Sequence, residues 1–215
     1  MPRTIIIGDV HGCSTELNTL LDRIQLDLGD MLVFVGDVVA KGPDPRGVLD
    51  VIRRTGAILV RGNHEDRLIG WKREPAAYPL GKSHRETVDK LRSEDWTILE
   101  SSPFWYDLPA HEARVVHAGV IPGVPIEKQT ESVLVTIRSI DGKGQPSEKA
   151  VGHPLWGELY KGPPHIVFGH NAVTGLQLHP WATGLDTGCV YGGRLAALVL
   201  ANDQKIPKKL QEREK

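Results

Sequence analysis

Cysteine is scarce in this chain: only two of the 215 residues are cysteines, Cys13 and Cys189. Two distant cysteines are too few for a disulfide scaffold, and they lack the C-x-x-C spacing of a zinc site. Neither has a neighbouring base in the sequence that would make it a nucleophile, so we expect packed thiols. This cysteine usage is typical of a reducing compartment and predicts a cytoplasmic location.

An excess of charge is also absent, because 26 Lys and Arg are matched by 27 Asp and Glu. A balanced chain has no electrostatic footprint for general nucleic-acid binding or for an anionic membrane. Long apolar runs and the apolar core of a signal peptide are missing as well. We therefore expect a soluble protein with no membrane and no stable nucleic-acid partner. The sequence leaves the oligomeric state open.

What the chain does have is a set of short apolar runs that end at residues able to bind a metal. These residues are Asp9 and His11 in I-I-I-G-D-V-H-G, Asp37 in L-V-F-V-G-D, Asn63 and His64 in I-L-V-R-G-N-H-E, His117 in R-V-V-H-A-G, and His170 in I-V-F-G-H. Oxygen and imidazole donors without thiolate predict a hard or borderline two-metal site. Two cations about 3.5–4 Å apart activate a shared water, so we expect a metal-bridging hydroxide to attack phosphorus.

The periodicity around these runs predicts an α/β fold of strand, ligand loop and helix. A helix is predicted after Ser14 as its cap, and another over about 46–55, ended by Gly56. A further helix is predicted over Glu131–Ile140. Strands are predicted at Thr4–Ile7, Leu32–Val35, Ala57–Val60, Arg114–Val116, Ile166–Phe168 and Leu195–Leu200.

The length suits one domain with a single substantial core, which we place at residues 1–200. Residues of about 71–109 contain no ligand junction and predict a helical insertion. Residues 141–164 are rich in Gly, Pro and Lys without a clean period, and such long irregular segments are usually functional or disordered. Residues 201–215 form a polar tail that we expect to be flexible.

The five motifs together resemble those of the calcineurin-type metallophosphoesterases, from Thr4 to about Leu200. The resemblance implies a β-sandwich flanked by helices, where the residues alone leave open a doubly wound sheet. It implies that two divalent metal ions are bound. Mn²⁺ is the expected metal, and Co²⁺, Fe or Zn²⁺ are alternatives. One ion would be held by Asp9, His11 and Asp37, and the other by Asp37, Asn63, His117 and His170. His64 would be the general acid that protonates the leaving group.

The second motif departs from the phosphoprotein phosphatases, which carry G-D-x-V-D-R-G, because Ala40 and Lys41 replace the Asp and the Arg. The run A-K-G-P is similar to that of ApaH-like phosphatases. The run L-D-T-G-C-V-Y-G-G-R-L resembles the closing motif of symmetrical diadenosine tetraphosphatases. The resemblance thus implies a nucleoside polyphosphate substrate, diadenosine tetraphosphate cut to two ADP, with Lys41 and Asn63 on the phosphates.

Other readings stay open: a serine/threonine protein phosphatase, a polyphosphate or RNA-cap phosphatase, or a scaffold that has lost catalysis. Lys161 is a candidate phosphate contact, and Trp156 or Tyr160 could stack an adenine, although a residue such as Trp156 more often packs in the core or as a cap. Asp186 is either an orienter of a ligand histidine or a turn-stabilising carboxylate. We expect Arg61 and Glu65 to fix their loop by an ion pair. The histidines expected not to bind metal are His84, His111, His153, His165 and His179.

Overall fold

Two β-sheets face each other, and helices cover their outer faces. The computed structural model describes residues 2–206. Its strands are β1 (Arg3–Ile7), β2 (Met31–Phe34), β3 (Ile58–Leu59), β4 (Trp105–Leu108), β5 (Ala113–Val116), β6 (Ser139–Ile140), β7 (Pro146–Ser147), β8 (His165–Phe168), β9 (Gln177–His179), β10 (Ala182–Gly184) and β11 (Ala197–Ala201). Its helices are α1 (Ser14–Ile24), α2 (Pro45–Thr55), α3 (Asn63–Arg73), α4 (Lys82–Val88), α5 (Ser93–Ser101), α6 (Glu131–Thr136) and α7 (Trp156–Leu159).

Each large sheet has a parallel centre. The first has the order β11-β1-β2-β3, and the second has the order β4-β5-β8-β10-β9. Strands β1, β2 and β3 are parallel to one another, as are β5, β8 and β10. Within each sheet the carboxyl ends of three strands therefore lie at one edge, where the loops that follow them can converge.

The alternation of side chains along β1 divides the core. Ile6 packs between the sheets with Val115 and Val167 of the second sheet. Ile5 and Ile7 point the other way and pack in the cluster that includes residues of α1 and α2. A third cluster covers the outer face of the second sheet. Successive side chains of a strand point to opposite faces, so an all-apolar strand must be covered on both. The sandwich flanked by helices, expected from the resemblance, is confirmed.

Several helix boundaries and caps can be compared with those predicted from the sequence. Ser14 is not the cap of α1: Cys13 occupies the cap position, and the Ser14 hydroxyl donates to Asp44 Oδ2 at 2.7 Å. Gly56 does end α2, in the left-handed conformation at φ 64°. Helix α6 ends at Thr136 instead of Ile140, because residues 139–140 leave the helix to pair with 146–147.

The range of about 71–109, predicted as a helical insertion, contains the end of α3, helices α4 and α5, and also strand β4. Most of the predicted flexible tail, residues 207–215, lies outside the described residues. Within residues 2–206, no helix is long and apolar enough to cross a membrane.

Candidate active site

The residues predicted as metal ligands lie in loops that follow the parallel strands. Asp9 and His11 follow β1, Asp37 follows β2, Asn63 follows β3, His117 follows β5 and His170 follows β8. Among the described residues, two groups of close donor atoms share Asp37, one with His11 and His64, the other with His117 and His170. Donors from both sheets therefore meet at one carboxylate.

Asp37 is anchored on one side and faces imidazoles on the other. Its Oδ1 accepts the backbone N–H of His64 at 3.0 Å. Its Oδ2 lies 3.5 Å from His117 Nε2 and 3.6 Å from His11 Nε2. Burial opposes ionisation, yet His117 and His64 hold the pKa of Asp37 well below its usual range. Burial lowers the pKa of His117, but the acids around it, Asp37 first and then Asp9 and Glu65, together outweigh this effect and raise the pKa to about 9.

Asn63 completes this side of the site. Its Oδ1 lies 2.9 Å from His170 Nδ1 and 3.0 Å from His117 Nε2. The amide oxygen and the two imidazoles are thus close enough for all three to contact one ion.

Each of the three predicted ligand histidines has one ring nitrogen close to a backbone carbonyl, to which it can donate its N–H. The pairs are His117 Nδ1 with Val35 O at 3.0 Å, His11 Nδ1 with Val39 O at 3.2 Å, and His170 Nε2 with Thr136 O at 3.2 Å. A ring that donates one N–H in this way presents the lone pair of its other nitrogen, which is the usual arrangement of a metal-binding histidine. The residues present therefore fit divalent metal ions.

Two buried carboxylates adjoin the imidazoles. Asp9 accepts the backbone N–H of His170 at 3.1 Å and 3.2 Å, and burial together with Asp186 raises its pKa well above the usual value. Burial also raises the pKa of Asp186, whose Oδ1 accepts the N–H of Gly188 at 3.1 Å. Asp186 thus stabilises a turn and also lies in the site. A cation would offset the repulsion between the two acids.

The predicted Arg61–Glu65 ion pair is wrong. Glu65 is fully buried, and its carboxylate accepts the backbone N–H groups of Asp37, Val38 and Val39 at 2.7, 2.9 and 3.3 Å, and that of Gly62 at 2.9 Å. Arg61 instead donates to the carbonyl of Ser102 at 3.0 Å. Glu65 does fix the loop, as predicted, but it does so through these hydrogen bonds to the backbone.

The backbone of the site is strained. Of the eight non-glycine residues with positive φ in the described chain, five lie in its loops: His11, Asp37, Ala40, Lys41 and His170, at 48–66°. Such conformations persist only where the surroundings enforce them, and they cluster at functional sites. Gly62 is also required, because a Cβ there would lie 2.3 Å from Asp37 Oδ1.

His64 has a partner that the sequence did not predict. Its Nδ1 lies 2.9 Å from Nε2 of His84, in α4. Burial lowers the pKa of His64 to about 3, with Asp37 opposing the shift. His84 belongs to neither donor group around Asp37. No motif could have indicated it, because α4 lies outside the strand-end loops.

A cavity of about 350 Å³ opens over these groups, and Lys41, Arg138, Val173 and Tyr191 contribute to its lining. Lys41 Nζ lies 3.1 Å from His11 Nε2 and 5.2 Å from the centre of the Tyr191 ring. Arg138 donates to the carbonyl of Glu148 at 2.9 Å, while its Nε is buried without a partner. Sequence reasoning missed Arg138 because it fell inside a predicted helix.

The predicted adenine platforms do not line this cavity. Trp156 is 1% exposed, and its Nε1 donates to Ala118 O at 3.0 Å, so it belongs to the core. The Tyr160 hydroxyl donates to Pro164 O at 3.0 Å. Lys161 is exposed and is also absent from the lining. The exposed aromatic ring at the cavity is that of Tyr191, 66% exposed.

Comparison with known proteins agrees with this geometry. The chain is 29% identical to the asymmetrical bis(5′-nucleosyl)-tetraphosphatase PrpE of Anoxybacillus flavithermus, over 90% of this chain and 88% of that protein. It is 29% identical, with the same coverage, to the enzyme of that name from Bacillus thuringiensis. A crystal structure named "putative diadenosine tetraphosphatase" is 38% identical and has a TM-score of 0.84, covering 92% of this chain and 88% of its own.

A sequence model of one family spans nearly the whole described chain. It is the model of the metallophosphoesterases described as "Calcineurin-like phosphoesterase", and it matches residues 2–205. Membership of this family implies that divalent metal ions are bound, and the two donor groups around Asp37 agree with this. The chain belongs to the calcineurin-like phosphoesterases.

Proposed function

We propose that this phosphoesterase hydrolyses dinucleoside tetraphosphates with two divalent metal ions. The observation that carries the proposal is the carboxylate of Asp37, shared by two groups of donor atoms from opposite sheets. A carboxylate that two groups of donors share is suited to bridge two cations.

Asp9, His11 and Asp37 would hold one ion, and Asp37, Asn63, His117 and His170 the other. Imidazole donors favour Mn²⁺ over Mg²⁺, which prefers oxygen ligands and retains its waters. When bound, the two ions supply Lewis-acid polarisation of the phosphoryl group and an activated water.

The remaining groups of the cavity bind and protonate the substrate. Lys41, Asn63 and Arg138 would donate to the phosphoryl oxygens, where negative charge develops during in-line displacement. His64 Nε2 would give its proton to the departing oxygen. Burial lowers the pKa of His64, but an anionic phosphate chain in the cavity would favour its charged form.

The names of the relatives support dinucleoside tetraphosphates as the substrate class. They also indicate which bond of the phosphate chain is cleaved. The closing-motif resemblance predicted symmetrical cleavage of diadenosine tetraphosphate to two ADP. The Anoxybacillus and Bacillus enzymes are named asymmetrical, and an unequal division of four phosphates leaves three and one. We therefore propose ATP and AMP as the products, with two ADP as the alternative. The cytoplasmic location stays a prediction.

A substrate panel at fixed Mn²⁺ tests this proposal. Diadenosine tetraphosphate, ATP, polyphosphate and a phosphoserine peptide are compared by kcat/KM, with Asp37→Asn as the control for contaminating phosphatase. We expect diadenosine tetraphosphate to be the best substrate and to yield equal amounts of ATP and AMP. A phosphopeptide or polyphosphate as the best substrate would refute the proposed substrate class, and two ADP would refute the proposed cleavage site.

A further inference from the structure

Two histidines are in contact at the edge of the active site. His64 Nδ1 and His84 Nε2 are 2.9 Å apart, and the two ring planes differ by 13°. Carbon atoms in van der Waals contact are best separated by about 3.5–4.0 Å. The much shorter distance between these two nitrogens is that of a hydrogen bond, not of ring stacking alone. One of the two nitrogens must carry the hydrogen, and the other must accept it.

The second nitrogen of His64 faces the reaction. Its Nε2 lies 3.8 Å from Asp37 Oδ2, and the His64 ring meets His11 edge-on at 4.9 Å between centroids. A group that holds Nδ1 therefore decides which way Nε2 points. Orientation of a catalytic imidazole through its second nitrogen is a recurring arrangement in enzymes, usually supplied by a carboxylate.

This chain has no such carboxylate in the second motif, where the related phosphoprotein phosphatases carry Asp. The residue there is Ala40, whose methyl group is fully buried. The acceptor has to come from elsewhere, and α4 brings His84 to the position. The connection after α4 is tied to the same loop, because Lys90 Nζ donates to the carbonyl of Pro43 at 2.8 Å.

We propose that His84 is a positioning residue that takes the place of this carboxylate in protonation of the leaving group, which rests on the proposed function. His64 Nδ1–H donates to His84 Nε2, and this hydrogen bond directs His64 Nε2–H at the departing oxygen. As the phosphorus–oxygen bond breaks, the proton moves from Nε2 to that oxygen. His64 is positively charged before the transfer and is left neutral with its hydrogen on Nδ1, while His84 stays neutral with its hydrogen on its own Nδ1 throughout.

The test compares leaving groups, because positioning of an acid matters most when the leaving group is basic. Variants His84→Ala and His84→Gln are assayed on an alkyl phosphate and on p-nitrophenyl phosphate at saturating Mn²⁺. Glu86→Ala is the matched control, since Glu86 is an exposed residue of the same helix. Metal content and thermal unfolding are measured for every variant.

We expect His84→Ala to lower kcat on the alkyl phosphate by about 10–100-fold, the range for loss of a group that orients a ligand or catalytic residue. On p-nitrophenyl phosphate we expect a loss within about threefold, with KM and bound metal unchanged. His84→Gln keeps an acceptor oxygen and should recover part of the loss. In the His64→Ala background, His84→Ala should add nothing further, because the two residues act as a unit.

Equal losses on both substrates, or an additive loss in the double variant, would overturn the proposal. A His84→Gln kcat no higher than that of His84→Ala also counts against it. If His84→Ala does not fold, the comparison of the two substrates is made with His84→Gln alone, and equal losses on both substrates count against the proposal. A wild type that cleaves the two test phosphoesters but not diadenosine tetraphosphate would instead refute the proposed function, so the two failures are distinguishable.

Discussion

Glu65 accepts the backbone N–H of Asp37 at 2.7 Å, so a buried carboxylate holds the loop that carries the central carboxylate of the site. Each Glu65 oxygen accepts two backbone hydrogen bonds: Oε2 from Asp37 and Gly62, Oε1 from Val38 and Val39. Burial and Asp37 raise the pKa of Glu65 to about 7, whereas the hydrogen bonds favour its ionised form.

Glu65→Gln is expected to destabilise the fold and weaken metal binding. A glutamine presents one oxygen and one NH₂ group, so two of the four backbone donors lose their acceptor. Each unsatisfied donor should lower the free energy of unfolding by about 1–3 kcal/mol. Denaturant unfolding and Mn²⁺ titration measure the two effects, with exposed Glu74→Gln at the end of α3 as control. Wild-type stability in Glu65→Gln would mean that Glu65 is protonated in the folded protein.

His64→Ala is expected to lower kcat by about 10²–10⁴ on an alkyl phosphate, because the departing alkoxide then leaves unprotonated. The loss on p-nitrophenyl phosphate should be much smaller. Bound metal, measured by elemental analysis, should be unchanged. Loss of one ion would assign His64 to coordination, which its place beside Asp37 makes a direct alternative.

Lys41→Ala is expected to raise the barrier by about 3–4 kcal/mol, the scale of removing one preorganised donor to the transition state. Lys41→Arg keeps the charge but replaces a compact ammonium by a planar fork, so partial activity should remain. The measurement is kcat/KM on diadenosine tetraphosphate. An alanine variant within about threefold of wild type would leave Lys41 without a catalytic role.

Tyr191→Ala tests whether the exposed ring at the cavity stacks a nucleobase. Base stacking on an aromatic side chain is worth about 1–3 kcal/mol, so KM for diadenosine tetraphosphate should rise by about 5–150-fold. Tyr191→Phe keeps the ring and should behave like wild type. Hydrolysis of p-nitrophenyl phosphate, which has no base, should not change. An unchanged KM in Tyr191→Ala would remove the ring from substrate binding.

The strand-end residues could be predicted from the sequence because each follows an apolar run directly. Asp9, Asp37 and His117 are positioned by local strand geometry, and parallel strands end at a shared edge. The flanking glycines also indicate the sharp backbone turns that the structure has there. The place of each of these residues in the site therefore follows from the strand that directly precedes it in the sequence.

Residues brought in from other parts of the fold could not be predicted this way. His84 reaches His64 from a helix twenty residues later, and Arg138 reaches the cavity after α6 ends early. Trp156 could be weighed only between core packing and adenine stacking, because an aromatic residue in an irregular segment gives no sign of its burial; it packs in the core. Such contacts depend on tertiary packing, and no local pattern encodes them.

In the proposed mechanism, Asp37 and its neighbours hold two ions that drive hydrolysis. Asp37→Asn removes the shared charge, so it should be the most damaging of the ligand substitutions and should lower the number of ions bound. Activity of the wild type should vanish with chelator and return best with Mn²⁺ or Co²⁺, and less with Mg²⁺.

The most direct measurement is a Mn²⁺ titration of the chelator-treated protein that follows bound metal and hydrolysis of diadenosine tetraphosphate in the same samples. We predict that activity rises as occupancy approaches two ions per chain and that Asp37→Asn shows neither full occupancy nor comparable activity. Full hydrolysis by the wild type in excess chelator, or near-normal turnover by Asp37→Asn, would contradict a two-ion site bridged by Asp37.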